Sequence, residues 1–563
     1  MNRAHEWRQR CIWGTLAAAT LVLVSGPVSA DSALDQWTSA GQNIQNTRAN
    51  LLEHRISRSN VGSLGVKWVF TTQGDVTATP AVDTDSVYAV DFGSPNDPMH
   101  AGYVHRIDRT TGNAIWSKKV PDLVGTTYTF PIAFNISRTT PAIDGNRVIF
   151  GTQAGAWVVA LNKPNGKLLW KTQVDTHDPY AIVTTSPVVF GNLVYVGVAS
   201  TEEGLVAVAG RNYACCAARG SIVALNKYTG AIVWQTYTLP EQTTAPADRF
   251  AGAGVWGSSA AIDVLRGSLY IGTGNAYWAP DSVRSCIAAN NAGGSFDQDQ
   301  DPTAKCTIEW EHANNAHVYV DSILALDLNT GRVKWSQRLW GADEWNVACL
   351  PSFDPYWCPT PTGPDFDFGQ GPALFTVLTK AGARQLVGAG QKSGVYWTLN
   401  PDDGSVVWGR KIGPGGTFGG LQWGSAVDLT RVYTALANLE HRSYTLQPSG
   451  ASASAGGWAA LDAATGKPLW QIEDPAGSLG FGPISVANGV AYACSLDPVQ
   501  GTMYAFDAAS GRILWSFASG ASCAGGASIV DGTVYWGTGY GKYVIFGFPF
   551  TPGNKLYAFE VKN

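Results

Sequence analysis

A short pattern of apolar and polar positions recurs along the chain. An apolar run leads into Asp or Asn, a turn ends in Gly, and a Trp follows that Gly by four residues. The seven Gly/Trp pairs stand at positions 112/116, 166/170, 230/234, 331/335, 404/408, 466/470 and 511/515. Because Gly supplies the positive φ of a tight turn and Asp or Asn caps it, each copy predicts two antiparallel strands joined by a hairpin.

Repetition at these intervals is typical of a propeller or solenoid, in which no single unit buries its own apolar face. Each recurrent Trp would bury about 150–250 Å². An eighth copy is split between the chain ends, with one strand in Lys555–Glu560 and the Trp-bearing strand in Leu64–Trp68. We therefore predict an all-β fold, an eight-bladed β-propeller whose N- and C-terminal strands close the ring and remove its open edges.

The first thirty residues differ from the repeats. Three Arg residues precede an apolar run over residues 12–24, and Val28-Ser-Ala30 matches a small-residue cleavage site. The apolar run is shorter than the about 20 residues that span a bilayer, so we expect a cleaved signal peptide rather than a membrane anchor. A signal peptide over residues 1–30 predicts a periplasmic protein with no membrane span, formed by one propeller domain over residues 31–563.

Composition narrows the class of protein. The chain has a formal net charge of −5 and 14% charged residues, which argues against nucleic-acid binding. Eight of the nine cysteines lie after the signal segment, an even number in a chain bound for an oxidising compartment. We expect four disulfides between the sequence-local pairs Cys215/Cys216, Cys286/Cys306, Cys349/Cys358 and Cys494/Cys523. Because no Cys-x-x-Cys-His occurs, the chain holds no c-type haem of its own.

Two segments interrupt the repeat. The longest interval between repeat tryptophans, from Trp234 to Trp335, contains an Ala-, Asn-, Gly- and Asp-rich stretch over about residues 276–311. A second insertion lies at about residues 349–364, and each insertion carries one of the cysteine pairs. We expect both to be loops on neighbouring blades that stand over the same face of the ring, where function usually lies.

Four further segments, together with the Trp repeats, resemble the quinoprotein alcohol dehydrogenases. The segments are Trp37–Asn43 with Asn46-Thr-Arg48, Asp75–Pro80, Cys215–Gly220 and Gly272–Asn275. That family consists of eight-bladed propellers that hold pyrroloquinoline quinone (PQQ) and Ca²⁺, and the chain looks most similar to its polyvinyl-alcohol dehydrogenase branch. The resemblance implies oxidation of secondary, polymeric or bulky alcohols by hydride transfer to PQQ, with electrons passed to a separate cytochrome c.

The resemblance also implies a calcium site. The family's Asn ligand lies in a strand-end Gly-Thr-Gly-Asn, which here ends at Asn275. The family's Glu follows a strand-ending Gly by five residues and a cofactor-contacting Thr by eighteen; counts from Gly197 and from Thr184 both reach Glu202. We expect Glu202, rather than its neighbour Glu203, to be the carboxylate ligand. Carboxylate and amide oxygens are what Ca²⁺ prefers.

The residues implied for PQQ surround a flat ring with carboxylates at its rim. The family's Trp floor matches Trp256, and its ceiling, a disulfide between adjacent cysteines, matches Cys215–Cys216, although in the methanol-oxidising branch that pair falls in an earlier blade. Arg138 matches an Arg that pairs with a PQQ carboxylate, as a planar guanidinium does well. Hydroxyl or backbone donors are expected at Thr184, Ser200 and Thr201. The alternative for all of these residues is a structural role in the core or at strand ends.

The base that takes the substrate proton departs from the family pattern. The family Asp ends an Asp-x-Trp-Asp run, and the matching position here is Asn346, whose amide cannot accept this proton usefully. Asp365 in Asp365-Phe-Asp-Phe-Gly369 is our first candidate and Asp343 our second; a turn-capping role is the alternative for both. Lys392 matches the family position that contacts the quinone oxygens.

A different class of protein shares these repeats. The outer-membrane assembly lipoprotein is a propeller scaffold without catalysis, and it would need neither the calcium ligands nor the adjacent cysteines. The predicted signal segment also lacks the Cys that lipoproteins carry at the cleavage site. The scaffold therefore stays as the alternative to a dehydrogenase.

Overall fold

The computed structural model describes residues 35–94, 96–97, 101–126, 134–241, 248–290, 301–541 and 549–562. The predicted signal peptide lies outside these residues. From Asp35 onward the chain forms one compact unit, built from eight antiparallel four-stranded sheets with additional short strands at some sheet edges. The predicted eight-bladed propeller is confirmed.

Each blade runs from an inner strand at the axis to an outer strand at the rim. The strands of blades 1 to 4 are 81–82, 86–90, 103–108 and 114–119; 142–144, 147–151, 157–162 and 168–173; 188–190, 193–200, 221–226 and 232–237; and 261–263, 268–272, 322–327 and 333–338. Those of blades 5 to 7 are 373–379, 382–390, 395–399 and 406–411; 426–427, 431–438, 457–462 and 468–473; and 485–487, 490–494, 502–507 and 513–518.

Blade 8 closes the ring with both ends of the chain. Its strands are 528–530, 533–537 and Lys555–Val561, and its outer strand is Leu64–Thr71. Leu64 pairs antiparallel with Val561 and Thr71 pairs with Lys555. The strand that the sequence predicts at each end of the chain is therefore present, and together they complete the four strands of this blade and close the ring.

The repeated Trp and Gly bind consecutive blades to each other. The Trp68 indole N–H donates to the Arg109 carbonyl in the blade 1 turn at 3.0 Å, and six further repeat tryptophans donate to a main-chain carbonyl of the following blade. Gly112 of that turn has φ +74°, and a Cβ there would lie 2.7 Å from the Trp68 ring. The glycine is therefore required twice, for the turn and for contact with the ring from the preceding blade.

The segment over residues 37–50, here called the axial segment, runs along the inner strands. Main-chain hydrogen bonds join it to one residue in each of six blades: Val82 of blade 1, Ile143 of blade 2, Ile262 of blade 4, Leu374 of blade 5, Val427 of blade 6 and Val486 of blade 7. The Asn50 side chain donates to the Ile529 carbonyl of blade 8. Seven of the eight blades thus contact one continuous segment, which ties the blades together at the axis.

Helices occupy connections between strands. They are α1 Val120–Val124, α2 Glu202–Ala209, α3 Asp281–Asn290 and α4 Pro302–Asn314, with 3₁₀ turns at Val61–Ser63, Ala154–Ala156, Val347–Cys349 and Pro355–Trp357. The first predicted insertion contains α3 and most of α4, so helices stand where the sequence predicts only a loop. All four expected disulfides are present. Among the described residues no helix combines the length and apolarity needed to cross a membrane.

Candidate active site

Carboxyl groups from three consecutive blades surround one lysine at the ring axis. We call this group the axial cluster; its members are Glu203, Asp321, Asp343, Asp365, Asp367 and Lys392. They come from connections of blades 3, 4 and 5, all at the ends of strands on one face of the ring. Five acidic groups thus lie close to one ammonium group.

Lys392 lies at the centre of this cluster. Its Nζ donates to Asp365 Oδ1 at 2.7 Å and to Asp367 Oδ2 at 3.3 Å, and it lies 5.3 Å from the centroid of the Trp256 ring. Asp367 also accepts from the Trp256 indole N–H at 2.8 Å. The lysine, the two carboxylates and the indole therefore form one connected hydrogen-bonded group.

Asp343 binds the backbone that carries Asp365. Its Oδ1 accepts from the Asp365 N–H at 2.7 Å, and its Oδ2 accepts from the Phe366 N–H. Asp365 has φ +62°, a left-handed conformation that a non-glycine residue rarely adopts. Because both Asp343 oxygens are occupied by backbone donors, Asp343 holds Asp365 in position, whereas Asp365 Oδ2 is buried without a hydrogen-bond partner in the described part of the chain.

Asn275 presents an amide oxygen to the same site. Its N–H donates to Asp367 Oδ1, and its Nδ2 donates to the Trp345 carbonyl at 2.8 Å. Its Oδ1 is buried and has no hydrogen-bond partner among the described residues. A buried oxygen of this kind costs free energy unless something binds it, so Asn275 Oδ1 is a candidate ligand for a cation.

The two glutamates that begin α2 have different surroundings. The Glu202 carboxylate accepts from the Tyr213 hydroxyl and from the backbone N–H groups of Ala217 and Ala218, the last at 2.7 Å. Glu203 instead lies where the charges of Asp367 and Lys392 act on it. Successive residues on a helix point about 100° apart, so the structure brings Glu203, and not the expected Glu202, to the axial cluster.

Burial and mutual repulsion shift the ionisation of the cluster. Burial raises the pKa of Glu203 to about 8 and that of Asp343 to about 7, and the Asp367 carboxylate adds to both shifts. Burial also raises the pKa of Asp365 well above its usual range, although the Lys392 ammonium opposes this rise. Burial raises the pKa of Asp321 in the same way. The cluster therefore holds protons at neutral pH that a bound cation would displace.

The opposite charges favour ionised Lys392. Burial alone would lower the pKa of this lysine, but the carboxylates of Asp365 and Asp367 raise it above its usual value. The site thus contains one fixed positive charge, which lies over the Trp256 ring.

Aromatic rings and a second cation continue from the cluster across the axis. The Trp256 and Trp423 rings pack edge to face with centroids 5.3 Å apart, and the Arg138 guanidinium lies 4.5 Å from the Trp423 ring. Thr184 Oγ1 donates to the Trp256 carbonyl at 3.2 Å. Arg138, Thr184 and Trp423 line a cavity on the axis together with Arg48 of the axial segment.

This axial cavity is narrow. Its volume is about 40 Å³. Its lining contains two arginines and several hydroxyl groups and no carboxylate. The lining suits an anionic ligand, and a flat ligand of three rings needs a side chain of the wall to move before it fits.

The remaining residues predicted for the cofactor have structural contacts. Ser200 Oγ accepts from the Glu202 N–H at 3.0 Å, and Thr201 Oγ1 donates to the Tyr180 carbonyl at 3.2 Å. The Cys215–Cys216 disulfide is buried in an apolar cluster and does not line the axial cavity. Its cluster contains Val206, Ala218, Ala251, Tyr277 and Ala348.

Sequence reasoning missed several members of the site. Asp367 stands two residues after Asp365 in the quoted motif, so alternation along an extended segment was an available signal for it. Asp321 directly precedes a strand of blade 4 and belongs to no motif quoted above. Trp423 lies outside the repeat and has φ +64°. The blade repeat marks none of these three residues, because each stands at only one place in the ring.

The donor set fits a hard cation and a flat anionic ring. Glu203 and Asn275 supply oxygen ligands of the kind Ca²⁺ prefers, and Arg138, Lys392 and the two tryptophans supply charges and flat faces for a carboxylated ring. Within the described residues no group of three or more His, Cys, Asp or Glu side chains is arranged to hold a metal ion. A cation bound here would therefore need further oxygens from a bound ligand or from water.

Comparison with known proteins places these features in context. The family model PQQ_2, described as outer membrane protein assembly factor BamB, matches residues 62–236 and 391–563. A polyvinylalcohol dehydrogenase from Pseudomonas sp is 26% identical over 577 residues, which cover 95% of this chain and 79% of that protein. A second polyvinylalcohol dehydrogenase, from Sphingopyxis sp. (strain 113P3), is 26% identical and covers 98% and 81%.

A solved structure has the same fold. The quinohemoprotein alcohol dehydrogenase from Comamonas testosteroni superimposes with a TM-score of 0.64 at 19% identity, covering 94% of this chain and 80% of that one. At this identity the likeness extends to the ring of blades and not to individual side chains.

Proposed function

The chain belongs to the PQQ_2 family, and on that premise we propose that it is a quinoprotein alcohol dehydrogenase of the polyvinyl-alcohol type. Two relatives that match nearly its whole length are named polyvinylalcohol dehydrogenase. The family model is also the one described for an assembly factor, so family membership alone does not separate an enzyme from a scaffold. The axial cluster favours the enzyme.

One observation carries the proposal. Asn275 Oδ1 and Asp365 Oδ2 are buried and lack hydrogen-bond partners among the described residues, in a cluster where acidic groups outnumber the single lysine. A scaffold gains nothing from such a site, because each unpaired buried oxygen costs about 1–3 kcal/mol of stability. An enzyme that binds a cation and a proton donor there has a use for both oxygens.

The cofactor residues follow from this arrangement. Glu203 and Asn275 are the proposed Ca²⁺ ligands, with Glu203 in the role that the sequence assigned to Glu202. Trp256 would offer a flat face to PQQ, Arg138 and Lys392 would bind its anionic oxygens, and Thr184 would supply a hydroxyl group. When bound, Ca²⁺ would act as a Lewis acid on the quinone and PQQ would accept the hydride.

The chain's own residues handle the proton. The Lys392 ammonium opposes the rise that burial causes in the pKa of Asp365. In its ionised form, Asp365 accepts the hydroxyl proton of the alcohol at Oδ2, because that is the oxygen of the carboxylate not bonded to Lys392. Lys392 keeps Asp365 oriented, and Asp343 fixes the backbone on which Asp365 stands. The carbon–hydrogen bond of the alcohol breaks as the carbonyl forms, so the product is a ketone or an aldehyde.

Substrate, partner and location complete the proposal. The names of the relatives favour secondary hydroxyls on a polymer or bulky molecule. Because the chain has no Cys-x-x-Cys-His, the electrons pass to a separate cytochrome c. The predicted signal peptide over residues 1–30 directs the protein to the periplasm.

Reconstitution tests the function. The metal-free protein should gain dye-linked oxidation of secondary or polymeric alcohols when PQQ and Ca²⁺ are added together, and neither addition alone should suffice. The panel should include primary, secondary and polymeric alcohols. Absence of oxidation of every alcohol by protein that has bound PQQ would favour the scaffold.

A further inference from the structure

A second cavity lies on the outer side of the first turn of α2. This outer pocket has a volume of about 660 Å³, within the range of ligand sites. Its lining includes Asp175, Asp178, Tyr180, Glu202, Tyr213 and Tyr237. The reaction proposed above uses none of these side chains.

The outer pocket opens on the same face of the ring as the axial cluster. Its residues lie between blades 2 and 3, between the second and third strands of blade 3, and at the end of blade 3. The equivalent connections of blades 4 and 5 supply Asn275, Asp365 and Lys392. Glu202 and Glu203 are consecutive, so their Cα atoms are about 3.8 Å apart, and a single helical turn separates the pocket from the cluster.

Tyrosine rings form much of the pocket wall. Tyr180 and Tyr213 pack edge to face with centroids 6.1 Å apart, and the Arg219 guanidinium lies 4.0 Å from the Tyr237 ring. The hydroxyls of Tyr180 and Tyr237 make no hydrogen bond within the described ranges. The Tyr213 hydroxyl, in contrast, donates to Glu202. The pocket therefore combines flat apolar faces with polar groups that are free to bind a ligand.

The carboxylates suit hydroxyl donors rather than anions. Asp175 and Asp178 use oxygen atoms to accept backbone N–H groups, such as that of Tyr180 at 2.8 Å, so both are held rigidly at the wall. A ligand with negative charge would be repelled by them. A neutral chain that alternates methylene and hydroxyl-bearing carbons matches the pocket, because its methylenes pack on tyrosine faces and its hydroxyls donate to carboxylates.

We propose that the outer pocket is a subsite that binds a hydroxyl-bearing polymer while another segment of the same chain lies at the axial cluster. This inference rests on the proposed function and adds a second point of contact for its substrate. Holding the polymer at two neighbouring sites raises the effective concentration of its hydroxyls at Asp365. A small secondary alcohol gains nothing from the pocket, since it cannot reach both sites at once.

Kinetics with two substrates test the subsite. In protein loaded with PQQ and Ca²⁺, Y180A and Y237A should each lower kcat/KM for polyvinyl alcohol about tenfold, which corresponds to about 1.4 kcal/mol of binding. The same variants should leave kcat/KM for 2-propanol within about twofold. Y228A is the matched control, because Tyr228 is an exposed tyrosine in the turn at the opposite end of blade 3. Equal losses for both substrates, or no loss for either, would overturn the subsite.

Binding to the cofactor-free protein separates this inference from the proposed function. A fluorescent polyvinyl alcohol oligomer should bind wild-type protein and Y228A alike, and Y180A and Y237A about tenfold more weakly. This binding result does not depend on turnover. If wild-type protein oxidised no alcohol, that would count against the proposed function, and the oligomer affinities would still test the subsite. Indistinguishable oligomer affinities in all four proteins would refute the subsite.

Discussion

The two sides of the first turn of α2 place identical side chains in opposite surroundings. On the outer side, Glu202 is satisfied by a tyrosine hydroxyl and two backbone amides. On the inner side, Glu203 faces other carboxyl groups and one lysine, and its pKa rises to about 8 through burial and the charge of Asp367. The protein itself supplies the hydrogen bonds that the Glu202 carboxylate needs, whereas an added cation would stabilise the ionised form of Glu203. Of these two neighbouring residues, we therefore assign Glu202 a structural role and Glu203 a functional one.

The largest effect is expected at the base. D365N should lower kcat about 10²- to 10⁴-fold, because the amide cannot accept the hydroxyl proton. PQQ binding, measured by absorbance after gel filtration, should persist, since Trp256 and Arg138 are unchanged. A D365N enzyme with more than a tenth of wild-type turnover would assign the proton to another group of the inner side.

The glutamate pair gives the sharpest contrast. E203Q should weaken Ca²⁺ binding about 100-fold or more, because even residues that only orient a metal ligand contribute about 10- to 100-fold. E202Q should keep Ca²⁺ affinity within about threefold and instead lose about 1–3 kcal/mol of unfolding free energy, since its amide cannot satisfy all three donors. Calorimetric titration and chemical denaturation measure the two quantities. The reverse pattern would restore Glu202 as the ligand.

The third prediction concerns Asp343, which holds the backbone of Asp365 in position. Asn at position 343 still accepts from one backbone N–H, of Asp365 or Phe366, but turns its NH₂ toward the other. We expect D343N to lower kcat about tenfold, less than D365N does, with little change in PQQ affinity. A D343N defect as severe as that of D365N, together with a shifted pH profile of kcat, would make Asp343 the base.

The smallest effect concerns pH. Burial raises the pKa of Asp343 to about 7 and those of Glu203 and Glu344 to about 8. Between about pH 4 and 8 the native state therefore holds more protons than the unfolded state, and the metal-free protein loses stability as pH rises. Ca²⁺ replaces those protons, so it should raise Tm by several degrees more at pH 8 than at pH 5.5. A calcium-induced Tm gain that is equal or larger at pH 5.5 would contradict the role of these groups.

The repeated part of the fold was predictable from the sequence because it obeys a local rule. The Gly and Trp of each copy fix a hairpin, and the split copy at Leu64–Trp68 and Lys555–Glu560 predicts closure. Nothing in the pattern shows that each Trp contacts the following blade, as Trp68 contacts Gly112, because that contact joins residues far apart in sequence. The helices of the first insertion were also missed, since its composition favours a loop.

The site was predictable only where a residue stands in a motif. The structure brings Asn275, Trp256, Asp365 and Lys392 together, and each of them stands in a motif that the resemblance supplies. The counts from Gly197 and Thr184 end at Glu202, one position before Glu203. Both residues lie in the first turn of α2, and a count of residues does not show in which direction a helical side chain points. The roles assigned to all of these residues stay proposals.

A crystal structure of the protein with PQQ and Ca²⁺ tests the central claim most directly. The account predicts a single Ca²⁺ on the inner side of α2, with a Glu203 carboxylate oxygen and Asn275 Oδ1 each about 2.3–2.6 Å from it, and PQQ against the face of Trp256. Calcium bound at Glu202, or PQQ bound elsewhere with Glu203 and Asn275 unliganded, would contradict it.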